Sequence, residues 1–191
     1  MYKVLIADDE IWVAALIRQS IDWEKHELEL VGEVSTGTEA YEKIIELSPH
    51  IVITDIRMPE LDGISLIEKT RLAGIDCEFI IISGYSDFEY AQSALKFNVV
   101  SYILKPVDDD ELHAALCSAK ERIRNKNHAK ALDNRSREQL HELRMTFLQK
   151  LLFSEGNGVI ESIDEINKKY SFSFIEGLFL VLIQHFPSDS S

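Results

Sequence analysis

The fold is decided by a stretch near the start of the sequence, YKVLIADDE at residues 2–10. Its first six residues are mostly apolar and form a run of strand length, which stops on the adjacent acids Asp8 and Asp9. The run IVIT at residues 51–54 ends in the same way on Asp55. A buried carboxylate is costly unless a cation lies beside it. We therefore expect the three aspartates to form a divalent-cation site if these two strands are neighbours.

Five apolar runs alternate with amphipathic segments between residue 2 and about residue 124. The runs lie at residues 2–7, 29–34, 51–54, 79–82 and 100–103. The segments between them have helical periodicity, so the alternation predicts an α/β fold with helices on both faces of a doubly wound, five-stranded parallel sheet. In a sheet of flavodoxin-like order 2-1-3-4-5, ligands bind beyond the carboxyl ends of strands one and three. The aspartates follow these two strands.

Two further strand ends carry groups that suit phosphoryl transfer. The fourth strand runs into Ser83-Gly84, and the fifth runs into Lys105-Pro106. Clustered carboxylates bind Mg²⁺, and a carboxylate can attack phosphorus to form an acyl phosphate. A lysine and a hydroxyl can contact the phosphoryl oxygens. Together with the aspartates, these residues predict a phosphoryl-transfer site at one edge of the sheet.

Composition excludes several classes of protein. The chain has 191 residues, of which 46% are hydrophobic, enough for a full domain and a smaller part. Residues 1–124 carry 24 acidic and 12 basic side chains, a balance that repels nucleic acid. The two cysteines, Cys77 and Cys117, have no CxxC spacing, which favours a reducing compartment. With no apolar run long enough to cross a bilayer, we expect a cytoplasmic protein without a membrane partner.

The sequence changes character after residue 124. Residues 125–137 are polar, and apolar periodicity returns at Leu140, Leu143 and Phe147. This pattern predicts a helical linker over 125–153, as one long helix or two in tandem, which forms either a coiled coil or a solvated helix. A predicted helix at 159–169 and a strand-like run at 177–186 cannot bury a core alone. We expect 154–191 to be a partial α+β segment, either the start of a truncated second domain or a stand-alone tail.

Residues 2–124 resemble the receiver domain of two-component response regulators. The resemblance spans the whole domain and is carried by Asp8-Asp9, Asp55, Met58-Pro59, Asp62-Gly63, Ser83-Gly84, Tyr102 and Lys105-Pro106. It implies that a sensor histidine kinase phosphorylates Asp55. It also implies that Mg²⁺ is bound by Asp8, Asp9, Asp55 and the backbone carbonyl of Arg57.

The same resemblance implies roles for the remaining strand-end residues. Lys105 would contact the phosphoryl group, and the Lys105-Pro106 peptide bond would be cis. Ser83 and Tyr102 would form a switch pair that responds to phosphorylation. Such a protein assists its own phosphotransfer and dephosphorylation but is not a turnover enzyme.

Two stretches, residues 22–25 and 83–91, look like those of AraC-type response regulators, also called the YesN type. This narrower resemblance implies a homodimer that controls transcription through a DNA-binding domain absent from this chain. One alternative is an interaction module that signals without phosphorylation. A second alternative is a Mg²⁺-dependent aspartyl phosphatase of the haloacid-dehalogenase type. The phosphatase is disfavoured because its general acid would fall on Arg57, which cannot usefully donate a proton.

Overall fold

The computed structural model describes residues 1–84, 88–153 and 163–170. The predicted sheet is confirmed: five parallel strands in the order β2-β1-β3-β4-β5. Each predicted strand is observed within about one residue of its expected bounds. The elements are β1 Tyr2–Ala7, α1 Ile11–Ser20, β2 Leu28–Val34, α2 Gly37–Leu47, β3 Ile51–Asp55, α3 Gly63–Leu72, β4 Glu78–Ser83, α4 Phe88–Lys96, β5 Ser101–Leu104, α5 Asp109–Phe153 and α6 Ile163–Tyr170.

Two apolar cores lie on opposite faces of the sheet, as expected for strands that are buried on both sides. Alternate residues of β1 serve the two cores, because successive strand side chains point to opposite faces. Val4 and Ile6 pack with α1 and α5, whereas Leu5 and Ala7 pack with α2, α3 and α4. The helices therefore pack on the strands from both sides, and the strand ends lie between them.

Local capping explains where two helices begin. The Thr36 hydroxyl accepts a hydrogen bond from the Glu39 backbone N–H at 3.2 Å and starts α2. At the start of α3, a carboxylate oxygen of Asp62 accepts one from the Ser65 N–H at 2.7 Å. Both are residue types that satisfy the unpaired N–H groups of a first helical turn. The sequence also predicts a capping box at Ser86 with Glu89 three residues later, but Ser86 lies outside the described residues.

The chain divides into two compact units, Met1–His128 and Ala129–Ser191. The helix α5 is one continuous helix of 45 residues, so the alternative of two tandem helices is not observed. In the second unit the rings of Phe147 and Tyr170 lie 4.6 Å apart, and Arg144 Nε donates a hydrogen bond to the Tyr170 carbonyl at 3.0 Å. Residues 159–162 of the predicted helix and the strand-like run 177–186 lie outside the described residues. Among those described, no helix has both the length and the apolar character to cross a membrane.

Candidate functional site

Strand register brings the predicted aspartates together at the carboxyl edge of the sheet. Ala7 of β1 pairs with Thr54 of β3, so the next residues, Asp8 and Asp55, lie at the same level at the carboxyl ends of the two strands. One carboxylate oxygen from each of Asp8, Asp9 and Asp55 lies within 4.8 Å of the others. Asp8 and Asp55 are buried, whereas Asp9 is exposed. The three carboxylates thus form one acidic pocket that is open to solvent on the Asp9 side.

The loop after β3 holds Asp55 in a fixed orientation. Asp55 Oδ1 accepts a hydrogen bond from the Ile56 backbone N–H at 2.6 Å. Gly63 donates its N–H to the Ile56 carbonyl at 2.8 Å and lies directly against the Asp55 backbone. A Cβ atom at position 63 would fall 2.1 Å from the Asp55 carbonyl oxygen, a distance that no side chain permits. This close approach explains why glycine follows Asp62 in the predicted motif.

Lys105 supplies the positive charge of the pocket. Its Nζ lies 2.9 Å from Asp55 Oδ2 and 3.1 Å from Asp8 Oδ2. The Lys105 backbone N–H donates to the Ser83 carbonyl at 2.8 Å, which anchors the residue beside β4. Burial lowers the pKa of Lys105, but hydrogen bonds to Glu10 and Asp55 outweigh burial and raise that pKa above the usual lysine value. The ammonium therefore remains charged at neutral pH. The peptide bond to Pro106 is cis, as the resemblance implied.

Asp8 remains poorly compensated even with Lys105 beside it. Burial raises the pKa of its carboxyl group, although a hydrogen bond from the Glu10 N–H and the charge of Lys105 act in the opposite direction. Within the described part of the chain, the buried Asp8 Oδ2 accepts no hydrogen bond of good geometry. Such an oxygen, grouped with two other carboxylates, is what a hard divalent cation such as Mg²⁺ binds. The residues therefore fit a divalent cation.

The remaining predicted residues lie on neighbouring elements. Ser83 is fully buried at the end of β4, on the strand next to Asp55. Tyr102, in β5, is half-buried and packs against the core on the α2, α3 and α4 face. Arg57 lies two residues after Asp55, and its side chain is exposed. The binding role of its backbone carbonyl and the switch roles of Ser83 and Tyr102 stay predictions.

Sequence reasoning missed Glu10 as a member of the site. Glu10 Oε1 lies 2.9 Å from Lys105 Nζ, as close as Asp55 does. The available signal was its position as the third acid of the run that follows β1. A run of acids at the start of a helix is common, so only the contact with Lys105 distinguishes Glu10 from an ordinary surface residue.

An exposed apolar hollow lies next to the pocket and was also not predicted. It has a volume of about 220 Å³ and is lined by Trp12, Val13, Leu16, Lys105, Pro106 and Val107. Trp12 is largely exposed on α1. Because large apolar side chains are rarely left in water together, such a hollow is typical of a protein-binding surface.

Comparison with known proteins agrees with this geometry. The response regulator receiver domain family matches residues 4–117. The transcriptional regulatory protein YesN of Bacillus subtilis is 43% identical over 116 residues, which cover 61% of this chain and 32% of YesN. The transcriptional regulatory protein HptR of Staphylococcus aureus is 39% identical over 116 residues, 61% of this chain and 45% of HptR. The chain thus spans less than half the length of these two relatives.

A solved structure covers the same region. The REC domain of AraT, a response regulator from Geobacillus stearothermophilus, aligns with a TM-score of 0.62 and 37% sequence identity. The alignment covers 66% of this chain and 98% of the AraT domain. The family match extends over more than half of the chain and includes most of β1, the other four strands of the sheet and all of the acidic pocket. The chain therefore belongs to the receiver domain family of two-component response regulators.

Proposed function

We propose that Asp55 is a phosphoacceptor and that its phosphorylation depends on Mg²⁺. The observation that carries this proposal is the set of charges around one buried carboxylate. Lys105 Nζ lies 2.9 Å from Asp55 Oδ2, and the carboxylates of Asp8 and Asp9 complete an acidic group within 4.8 Å. An isolated acidic cluster would lack the fixed cation that phosphoryl oxygens require.

The residues of the pocket have distinct tasks in this reaction. A carboxylate oxygen of Asp55 attacks the phosphorus, the bond from phosphorus to the donor nitrogen of a kinase histidine breaks, and an acyl phosphate forms. Lys105 offers its ammonium group to a phosphoryl oxygen. Asp8, Asp9, Asp55 and the Arg57 carbonyl would hold Mg²⁺, which neutralises phosphoryl charge when it is bound. These steps release the kinase histidine and leave the phosphoryl group on the protein itself, so the protein acts as an acceptor and not as a turnover enzyme.

Acetyl phosphate with Mg²⁺ tests the acceptor directly. We expect intact-mass measurement to reveal an added mass of one phosphoryl group on the wild-type chain and none on Asp55→Asn. Asp109→Asn, which alters an exposed acid at the start of α5, is the matched control and should accept the group normally. A wild-type chain that gains no mass would instead support the interaction module that signals without phosphorylation.

We propose that the donor is a sensor histidine kinase that docks on the apolar hollow beside Lys105. The hollow places Trp12 and Leu16 next to the pocket, so a partner helix seated there would bring its phosphohistidine close to Asp55. Trp12→Ala should slow phosphotransfer from a histidine kinase that phosphorylates the wild type. The same variant should accept phosphate from acetyl phosphate at the wild-type rate, because the small donor does not need the hollow. Equal slowing with both donors would contradict a docking role.

We further propose that phosphorylation changes self-association through the surface near α4 and β5. Leu95 of α4 is 80% exposed and Leu104 of β5 is 45% exposed, which leaves apolar area free for a second copy. Movement of Ser83 toward the phosphoryl group would let Tyr102 rotate and reshape this surface. Sedimentation with and without the phosphoryl mimic beryllofluoride should reveal a shift toward dimer. Identical sedimentation in both states would contradict the proposal.

Control of transcription is proposed for a longer parent protein. YesN and HptR are transcriptional regulatory proteins, and this chain matches less than half of each. The acidic balance of residues 1–124 does not suit contact with DNA phosphates. We therefore assign the receiver role to residues 1–124 and a linker role to 125–153. Residues 154–191 would begin a second domain, and DNA binding would lie outside this chain.

A further inference from the structure

Lys105 contacts the carboxylates of Asp8, Glu10 and Asp55. Of these three, Glu10 alone lies outside the acidic group that fits a divalent cation. The Nζ of Lys105 lies 2.9 Å from Asp55 Oδ2, 2.9 Å from Glu10 Oε1 and 3.1 Å from Asp8 Oδ2. Asp8 and Asp55 belong to the acidic group that fits a divalent cation, together with Asp9. Glu10 does not belong to that group. The ammonium of Lys105 and a divalent cation therefore compete for two of the same side chains.

The position of Glu10 suits it to hold Lys105 on its own. Glu10 is the N-cap residue of α1, and its side chain makes no cap hydrogen bond within the described residues. Residues at this position usually satisfy the first N–H groups of the helix with a short polar side chain. Here the longer side chain of glutamate contacts Lys105 instead, while the Glu10 carbonyl accepts from the Val13 N–H at 2.9 Å. The Glu10 side chain is 53% exposed and that of Lys105 is 14% exposed.

We propose that Glu10 is a positioning residue that receives the Lys105 ammonium when a divalent cation occupies the aspartates. Lys105 forms ion pairs with Asp8 and Asp55 in the structure. Binding of the cation takes over both carboxylates and repels the ammonium, and Glu10 then remains as its counter-ion. Glu10 thereby lowers the cost of displacing Lys105 from the two aspartates and holds its Nζ at the pocket, within reach of a phosphoryl oxygen on Asp55. This role rests on the proposed function of the site.

Mg²⁺ affinity measured in a double-mutant cycle tests the proposal without requiring phosphorylation. The four proteins are the wild type, Glu10→Gln, Lys105→Met and the double variant, each titrated with MgCl₂ in a calorimeter. Glu10→Gln should weaken Mg²⁺ binding about threefold to tenfold in the wild-type background. This range corresponds to the interaction energy usually measured between two partly exposed charges in contact. In the Lys105→Met background the same change should have less than about a twofold effect, because no ammonium remains to be received.

A matched control separates this specific role from the effect that losing any one negative charge would have on Mg²⁺ affinity. Glu29→Gln removes the same charge from an exposed position on β2, where Glu29 pairs in register with Lys3 near the opposite edge of the sheet. It should leave Mg²⁺ affinity unchanged. An equal loss from Glu10→Gln in both backgrounds, or no loss in either, would overturn the role of Glu10. A wild-type protein that binds no Mg²⁺ would overturn the proposed function of the site itself.

Discussion

The buried carboxylate of Glu78 leads to a specific prediction about the free energy of unfolding of this protein. Glu78 begins β4 with a side chain that is 2% exposed, and its Oε1 lies 2.6 Å from Lys126 Nζ of α5. Lys126 also contacts Asp76 Oδ1 at 2.7 Å, and Arg122 Nη1 is 3.8 Å from Glu78 Oε2. Replacing Lys126 by methionine keeps the apolar stem of the side chain and removes the main counter-charge of Glu78. The carboxylate then remains buried, and Arg122 stays 3.8 Å from its Oε2.

The size of the effect follows from the exposure of the two side chains. Removing one partner of a fully buried pair costs about 3–5 kcal/mol, whereas an exposed pair contributes about 0.2–1 kcal/mol. Glu78 is buried but the Lys126 side chain is 43% exposed, so water can partly replace the ammonium. We expect Lys126→Met to lower the free energy of unfolding by about 2 kcal/mol. With a urea slope of about 2 kcal/mol per molar, the unfolding midpoint falls by about 1 M.

Urea unfolding followed by tryptophan fluorescence measures this loss of stability. The signal reports on the unit that contains Glu78, because Trp12 and Trp23 both lie in it. Lys96→Met, at an exposed position of α4, should change the midpoint little. Adding Glu78→Gln to Lys126→Met should recover part of the loss, because the buried group is then uncharged. A double variant no more stable than Lys126→Met would refute the reasoning. So would equal midpoints for Lys126→Met and Lys96→Met.

Three further predictions concern reactivity, a close backbone contact and a helix cap. Burial raises the pKa of the Cys77 thiol to about 12, so iodoacetamide at neutral pH should alkylate the exposed Cys117 and leave Cys77 unmodified. Peptide mass spectrometry checks this, and equal modification of both would contradict it. Gly63→Ala should destabilise the protein by about 1–3 kcal/mol and impair phosphorylation of Asp55, because the added Cβ meets the Asp55 carbonyl oxygen at 2.1 Å. A wild-type unfolding midpoint and normal acetyl phosphate labelling would refute the clash. Thr36→Ala should cost about 1 kcal/mol in urea unfolding, since it removes the cap of α2, whereas Thr36→Ser should cost less.

Most of the sheet and the acidic pocket could be predicted because local chemistry and strand topology agree there. An apolar run that stops on an aspartate indicates both where a strand ends and what chemistry its end carries. The parallel order then brings Asp8 and Asp55 to one edge, and the observed pairing of Ala7 with Thr54 agrees. The cap of α2 at Thr36 is also a local feature, because it depends on a few neighbouring residues.

Contacts that depend on the reach of a side chain across the fold could not be predicted. Glu10 and Lys105 are 95 residues apart, and nothing in the local sequence of either residue indicates that they pair. The same holds for Glu78 and Lys126, whose contact depends on how α5 packs beside the start of β4. Periodicity predicted a helical linker over 125–153 but left open whether it is one long helix or two in tandem. The structure has one continuous helix, Asp109–Phe153.

The sequence by itself determined the strands, their parallel arrangement and the identity of the acids at their ends, because these follow from residue type and spacing. Tertiary structure alone decided which further charges join the aspartates at the site. Strand register fixed the levels of Asp8 and Asp55, and packing of α1 against the sheet brought Glu10 to within 2.9 Å of Lys105. Electrostatic pairing falls off over a few ångströms, whereas sequence spacing carries no information about distance between elements. The acidic pocket was therefore predictable, but the counter-ion that completes it was not.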